Sequence, residues 1–342
     1  MKIIIDAMGG DNAPQEIVKG AVDAQKEFSV DITLVGREAE VKKCLADCGA
    51  EGNEHITVVN AEEVVTMEDD PATATRTKRD SSMTVALTLL KNGEGDACVS
   101  AGSTGALLTG ATLTVKRIRG IRRAAMAPVL PNGGKGVLLI DCGANAECTE
   151  EYLLQFAYMG SFYAGKIMGI DSPRVGLLNI GTEDSKGTEQ RRMAFALLKE
   201  AGESGRINFI GNIEGSDVFR GGVDVIVTDG FTGNVLLKSI EGTAKFLMKN
   251  VKSIFMASLK NKLAALVVKK DVSGLKTLMD SSEVGGTALL GIAKPVIKAH
   301  GSSNARAIRS AVKQAIACVD GRIAEEISEN IEYMKLHTGE EA

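Results

Sequence analysis

The sequence predicts a three-layer α/β protein, a mostly parallel sheet covered by helices on both faces. Two observations carry that prediction. Short apolar, β-branched runs recur up to Thr228, and most are followed by Gly-rich punctuation and then a helical pattern. The runs are also near-continuously apolar rather than alternating, which marks strands buried on both faces. In chain order they are Lys2–Asp6, Asp31–Val35, His55–Val59, Asp96–Ser100, Gly136–Asp141, Arg174–Asn179, Ile207–Gly211 and Asp224–Thr228. Helical patterns cover Pro14–Phe28, Glu38–Cys48, Asp80–Lys91, Glu150–Lys166 and Gln190–Ala201. Met126–Leu130 reads as an additional strand, placed at an edge because its proline cannot donate to a ladder. After Thr228 no convincing strand follows, and helices are expected from about Asn234 to the end. The whole of 1–342 is read as a single α/β domain with a projecting helical arm at about 240–282.

Composition narrows the function. The chain has 342 residues, 44% hydrophobic and 25% charged, with a net charge of −4. That balance argues against a general nucleic-acid binder. With no Trp and 4% aromatic residues, base-stacking platforms are not expected either. Met1–Asp6 reads as a strand rather than a signal segment, and no apolar run of about 18 residues suggests a membrane span. The six cysteines include no C-x-x-C pair and only three histidines are present, so no metal site and no cofactor are expected. Six reduced thiols fit a cytoplasmic location.

The informative feature is where the small polar residues fall. Five strands end in such loops: Asp6-Ala-Met-Gly-Gly-Asp11, Ser100-Ala-Gly-Ser-Thr-Gly105, Asp141-Cys-Gly-Ala-Asn145, Asn179-Ile-Gly-Thr-Glu-Asp-Ser-Lys-Gly187 and Thr228-Asp-Gly-Phe-Thr-Gly-Asn234. In one parallel sheet they would share the carboxyl edge, where open α/β folds bind ligands. Several also open a helix, whose free N–H groups attract anions. One such loop is an ordinary strand-to-helix turn; five at one edge point to a phosphate-like ligand. None is a P-loop, a G-x-G-x-x-G turn or a G-x-S-x-G elbow.

Read together, DAMGGDNAP (6–14), SAGSTGA (100–106), DCGAN (141–145), LLNIGTEDSKGTE (177–189) and NIEGSD (212–217) resemble the PlsX family. DGFTGNVLLK (229–238), EVGGTALLG (283–291) and HGSSNA (300–305) continue the match in the family's order. These are the phosphate acyltransferases of bacterial phospholipid synthesis. The resemblance implies an isocitrate-dehydrogenase-like, phosphotransacetylase-like fold and transfer of a fatty acyl group from an acyl carrier protein thioester to inorganic phosphate. It also implies a homodimer lying peripherally on the anionic inner face of the membrane. The chain departs from the family's pattern at Ser103, Glu147, Glu150, Val284 and Thr287-Ala288.

That reaction asks little of the protein. Phosphate is already anionic, and a thiolate with a parent pKa of about 8.5 leaves readily. Orientation and stabilisation of a tetrahedral oxyanion remain. The residues expected to act are Lys186 on phosphate, Asn234 on the oxyanion, Asn145 and Asp229 in orientation, and His300 as an acid or polar contact. Gly9, Gly10, Asp11, Ser103, Thr104, Gly181, Thr182, Thr232 and Gly233 are expected to hold phosphate or substrate. A solvated loop lysine and a helix-ending histidine are the plain alternatives for Lys186 and His300. From Gly242 to Lys270 there are seven lysines and no acidic residue. Leu247, Val251, Ile254, Phe255, Leu259, Leu263 and Leu266 follow helical spacing there. Such an arm suits a dimer interface, an anionic membrane or an acidic carrier protein, with Lys269, Lys270, Lys276 or Arg76–Arg79 as contacts. Competing readings are a short-chain phosphotransacetylase using CoA thioesters, an NAD-linked dehydrogenase and a non-catalytic acyl-phosphate-binding scaffold.

Overall fold

The computed structural model describes residues 1–265, 268 and 285–336. The expected tip of the arm, Asp271–Gly274 with its return at Leu275–Met279, lies outside the described residues, as do Lys269, Lys270 and Lys276.

The strands are β1 (Lys2–Asp6), β2 (Asp31–Gly36), β3 (Ile56–Asn60), β4 (Ala97–Ser100), β5 (Ala125–Ala127), β6 (Val129–Leu130), β7 (Val137–Ile140), β8 (Arg174–Leu178), β9 (Asn208–Ile213), β10 (Val225–Val227), β11 (Thr287–Leu290) and β12 (Val296–Lys298). They form two sheets rather than one. The larger has the order β3-β2-β1-β4-β12-β11-β5 and the smaller β6-β7-β10-β8-β9. Pairing is parallel except at β11–β12, β11–β5 and β6–β7.

The division falls at a proline. Met126–Leu130 is not one edge strand but two short ones, β5 closing the larger sheet and β6 closing the smaller. Pro128, which has no N–H to give, stands between them, and its carbonyl accepts from Leu139 N at 2.9 Å. β11 and β12 also correct the expectation of an all-helical C-terminal part. They span only four and three residues, too few for a periodic signal. β12 nevertheless sits in the middle of the larger sheet, Val296, Ile297 and Lys298 pairing with Cys98, Val99 and Ser100.

Helices cover the faces as the periodicity predicts. They are α1 (Gln15–Phe28), α2 (Glu38–Asp47), α3 (Ala74–Thr77), α4 (Ser82–Asn92), α5 (Thr104–Gly110), α6 (Glu150–Lys166), α7 (Glu189–Glu203), α8 (Gly230–Met256), α9 (Ala305–Asp320) and α10 (Ile323–Glu329). Their starts are chemically marked. Thr149 caps α6, Thr188 caps α7, Asp229 caps α8 and Asn304 caps α9, each side chain accepting from a backbone N–H three residues on. One buried apolar cluster runs from Ile3 and Ile5 of the larger sheet through Phe156 of α6 to Leu138 and Val225 of the smaller. No helix among the described residues is long and apolar enough to cross a membrane.

Candidate active site

The carboxyl ends of β1, β4 and β12 from the larger sheet meet those of β7 and β10 from the smaller across a cavity of about 1530 Å³. Two buried carboxylates set its walls. Asp6, ending β1, accepts from Ser100 Oγ at 2.6 Å and from Met8 N at 3.3 Å. Asp141, after β7, accepts from Met126 N (2.8 Å), Cys142 N (2.7 Å), Asn145 N (2.7 Å) and Asn145 Nδ2 (3.0 Å). Burial pushes both acids above the ordinary carboxylate range, and these bonds pull the other way.

Around Asp6 the backbone is tightly folded. A Cβ on Gly9 would lie 2.5 Å from Asp6 Oδ2 and 2.7 Å from Gly102 N, so the β1 and β4 loops touch only because that side chain is missing. Gly10 follows with φ +103°, a conformation open to glycine. Asp11, Gly102 and Thr104 then reach the cavity wall, while Ser103, 6% exposed, packs behind it. On the opposite side a Cβ on Gly233 would lie 2.0 Å from Asp141 O, which fixes the approach of α8. Asn234 comes next on the helix and lines the cavity beside Gly143. Its side-chain amide makes no hydrogen bond to a described residue, and so is free for a ligand.

The expected site residues separate into three groups. Asp11, Thr104, Asn234 and His300 line the cavity. Gly9, Gly10, Ser103, Asn145, Asp229, Thr232 and Gly233 shape its walls from behind. Asp229 Oδ1 accepts from Thr232 N at 2.7 Å, Oδ2 from Thr232 Oγ1 at 2.9 Å, and the same Oδ2 pairs with Arg191. Asn145 Nδ2 donates to Ala124 O at 2.8 Å, and its own carbonyl takes Gly230 N at 2.7 Å. Lys186, Gly181 and Thr182 form the third group. They follow β8, one strand beyond β10, and are not on the cavity wall. The Lys186 ammonium is exposed and lies 3.7 Å from Glu183.

His300 belongs to the loop after β12. Ser302 N donates to its Nδ1 at 3.2 Å, so the neutral ring carries its proton on Nε2. Partial burial and the nearby Lys298 charge hold it below the ordinary histidine range. Lys298 itself was not among the expected residues. It ends β12, is 7% exposed, lines the cavity, and donates from Nζ to Ala101 O at 3.4 Å and to Ala299 O. Burial brings its pKa down to about 8 against the pull of Asp6 and Asp11. Its signal in the sequence is the run Pro295-Val-Ile-Lys298 leading into Gly301-Ser-Ser-Asn304, the pattern of the other five loops.

Beyond this polar end the cavity continues along α8. Leu237, Met248, Val251 and Phe255 line it, with Val129 and Leu130 opposite. Lys238, Lys245, Lys249 and Lys252 share that face of the helix, whereas Leu247, Ile254, Leu259 and Leu263 point to solvent. The expected single apolar stripe is therefore split between cavity and surface. In the Arg76–Arg79 run, Lys78 is already paired with Asp69 at 2.7 Å. Among the described residues no group of three or more His, Cys, Asp or Glu is arranged to hold a metal ion.

A family model described as fatty acid synthesis protein matches residues 1–326. A phosphate acyltransferase from Oceanobacillus iheyensis is 50% identical over 333 residues, 97% of this chain and 98% of that protein. One from Bacillus cereus is 48% identical over 338 residues, covering 98% and 100%. Among solved structures, a phosphotransacetylase from Streptococcus pyogenes superposes with a TM-score of 0.64 at 19% identity, covering 94% of each chain. A branched-chain phosphotransacylase from Enterococcus faecalis gives 0.55 at 15% identity, covering 93% and 98%. The relatives carry the family, and the structural likenesses carry the fold.

Proposed function

The chain belongs to the phosphate acyltransferase family, and we propose on that footing that it transfers a fatty acyl group from an acyl carrier protein thioester to inorganic phosphate. The observation that carries the reading is a single cavity with two characters. Its polar end is built from strand-end loops and a buried lysine, and its apolar limb runs along α8. At about 1530 Å³ it exceeds the roughly 300–1,000 Å³ of ordinary small-ligand sites. An acetyl group leaves such a limb empty, whereas a long acyl chain fills it.

In the proposed reaction a phosphate oxygen attacks the thioester carbonyl carbon and forms a P–O–C bond. The carbonyl oxygen carries the negative charge of the tetrahedral state, then the C–S bond breaks and the thiolate leaves. Asn234, whose amide has no hydrogen-bond partner among the described residues, donates to that oxygen. His300 offers Nε2–H at the same end of the cavity as a hydrogen-bond donor to substrate, and can protonate the thiolate only in its imidazolium form. Asp229 and Asn145 act by holding the α8 start and the β7 loop in place. No covalent enzyme intermediate is formed, and Lys186 is proposed as a residue that meets the substrate from the β8 loop. The chain works as one α/β domain carrying an arm.

The exposed row on and beyond α8, with Phe246 65%, Ile254 63% and Leu259 80% exposed, supports a homodimer on an anionic membrane surface. The four lysines on the cavity face suit an acidic carrier protein. The deciding experiment is phosphate-dependent thiol release from a palmitoyl carrier protein thioester, compared with acetyl-CoA. Release that requires phosphate and favours the palmitoyl donor supports the reading. Preference for acetyl-CoA makes the protein a short-chain phosphotransacetylase, and no release with either donor leaves a binding scaffold.

A further inference from the structure

We propose that Lys298 is the cation that receives the attacking phosphate, an assignment that rests on the acyl-to-phosphate reading of the cavity. Three observations converge on it. Lys298 ends β12, the strand between β4 and β11, so its side chain emerges where the loops of the larger sheet converge. It is 7% exposed yet part of the cavity wall. An ammonium has three hydrogens to give, and here two carbonyls, Ala101 O and Ala299 O, are its partners. It forms no ion pair with a described residue. A desolvated charge without a counterion is costly to keep, and an anion in the cavity supplies the missing partner.

The surroundings favour phosphate as that anion. The residues after Lys298 lead directly into the N-terminus of α9, and Ser303 and Asn304 lie on the same wall. Ser303 offers a hydroxyl there, while the helix end itself is already engaged by Glu16, whose Oε2 accepts from Ala305 N at 2.7 Å, and by Asn304, whose Oδ1 accepts from Ala307 N at 3.0 Å. The remaining wall lysines are placed differently. Lys238 is exposed and paired with Glu241 at 2.9 Å, and Lys245, Lys249 and Lys252 sit farther along α8 in contact with water. Charged groups facing Lys298 are Asp6 of β1 and Asp11 of its loop, with His300 on its own loop. Asp6 is already engaged by Ser100 and Met8. Asp11 is the neighbour that orients a partly protonated phosphate rather than neutralising the lysine.

The test is steady-state kinetics of wild type, Lys298→Met and Lys298→Arg, varying inorganic phosphate and palmitoyl carrier protein separately. Lys298→Met is expected to raise the KM for phosphate by about 30-fold at pH 7, the size of one lost charged contact, with the KM for the thioester within about threefold. Lys298→Arg is expected to recover part of the phosphate affinity. In wild type the phosphate KM rises above about pH 8 as the ammonium deprotonates, and in Lys298→Met that rise disappears. Calorimetric titration with inorganic phosphate alone, without acyl donor, separates this assignment from the reaction itself. If wild type and Lys298→Met bind phosphate equally, the assignment is wrong even where thioester turnover is found. If wild type alone binds, Lys298 stands even where palmitoyl transfer fails. Should Lys298→Met not fold, the wild-type pH profile decides: a phosphate KM flat through pH 8 overturns the proposal.

Discussion

Replacing Lys298 by Met should change the pH dependence of stability in a direction fixed by where that lysine lies. Its pKa falls from the ordinary 10.5 to about 8 because the charged form is desolvated. The unfolded chain therefore binds this proton more tightly, and stability from this group rises as pH climbs from about 8 towards 10.5. At about 1.36 kcal/mol per tenfold change in proton affinity, the buried charge costs about 3 kcal/mol at pH 7. Methionine removes that cost and leaves the carbonyls of Ala101 and Ala299 without their donor, about 1 kcal/mol each. Lys298→Met is thus expected to be about 1 kcal/mol more stable than wild type at pH 7, and about 1 kcal/mol less stable by pH 9.5. The crossing is the informative quantity, because the buried thiols, with pKa values raised towards 12, affect both proteins alike. Urea melts of both proteins in phosphate-free buffer at pH 7.0 and 9.5 measure it. A stability difference that stays constant between the two pH values refutes the reasoning.

The other predictions follow from single contacts. Asn234→Ala should lower kcat by about 10²–10³ with unchanged unfolding midpoint, because its amide makes no hydrogen bond to a described residue; normal turnover removes it from the reaction. Asp229→Ala should cost about 3 kcal/mol, well above the ~1 kcal/mol of a lost cap, because it leaves the buried Arg191 guanidinium unpaired. Denaturant melts that show only the smaller loss exclude that account. Lys186→Ala should leave stability within about 0.5 kcal/mol, its pair with Glu183 being exposed, so turnover at unaltered stability reads its part in the reaction directly. Met248→Trp, which narrows the apolar limb, should slow a palmitoyl donor more than an octanoyl one; equal slowing of the two places the chain elsewhere.

The strands up to Thr228 were legible because each is a near-continuous apolar run closed by small polar residues. β12 was not, since three residues ending in a lysine give neither a run nor an alternation. Missing that strand concealed the sixth strand-end loop and with it Lys298. The five visible loops do lie at the carboxyl ends of strands, but those strands belong to two sheets and only four of the loops meet at the cavity. That outcome depends on Pro128, whose lack of a donor splits a single apolar run between β5 and β6. The same division moves the Lys186 loop aside, because β8 is a strand farther from the cavity than β10. The periodicity of α8 was readable, whereas the side its first turns face was set by packing of Leu236, Leu237 and Ile240 against a cluster that includes Leu130, Val137 and Leu139.

Asp6 and Asp141 show why a site with so few reactive side chains is nevertheless specific. Each ends or follows the strand that borders the cavity in its own sheet, is buried, and accepts from the backbone of the loop that forms the wall. Each also stands against a glycine with no room for a Cβ, Gly9 in one case and Gly230 in the other, at 2.5 and 2.7 Å from a carboxylate oxygen. With their oxygens engaged by loop donors, neither acid is placed to serve as a base. Their contribution is to fix where donors such as Asn234 and Lys298 stand before any ligand arrives. For attack by a ready-made anion on an activated thioester, prepaid positioning is the larger part of catalysis. On the proposed acyl transfer to phosphate, the catalytic content of this fold therefore lies as much in the two strand-end acids and the glycines beside them as in the groups proposed to touch substrate.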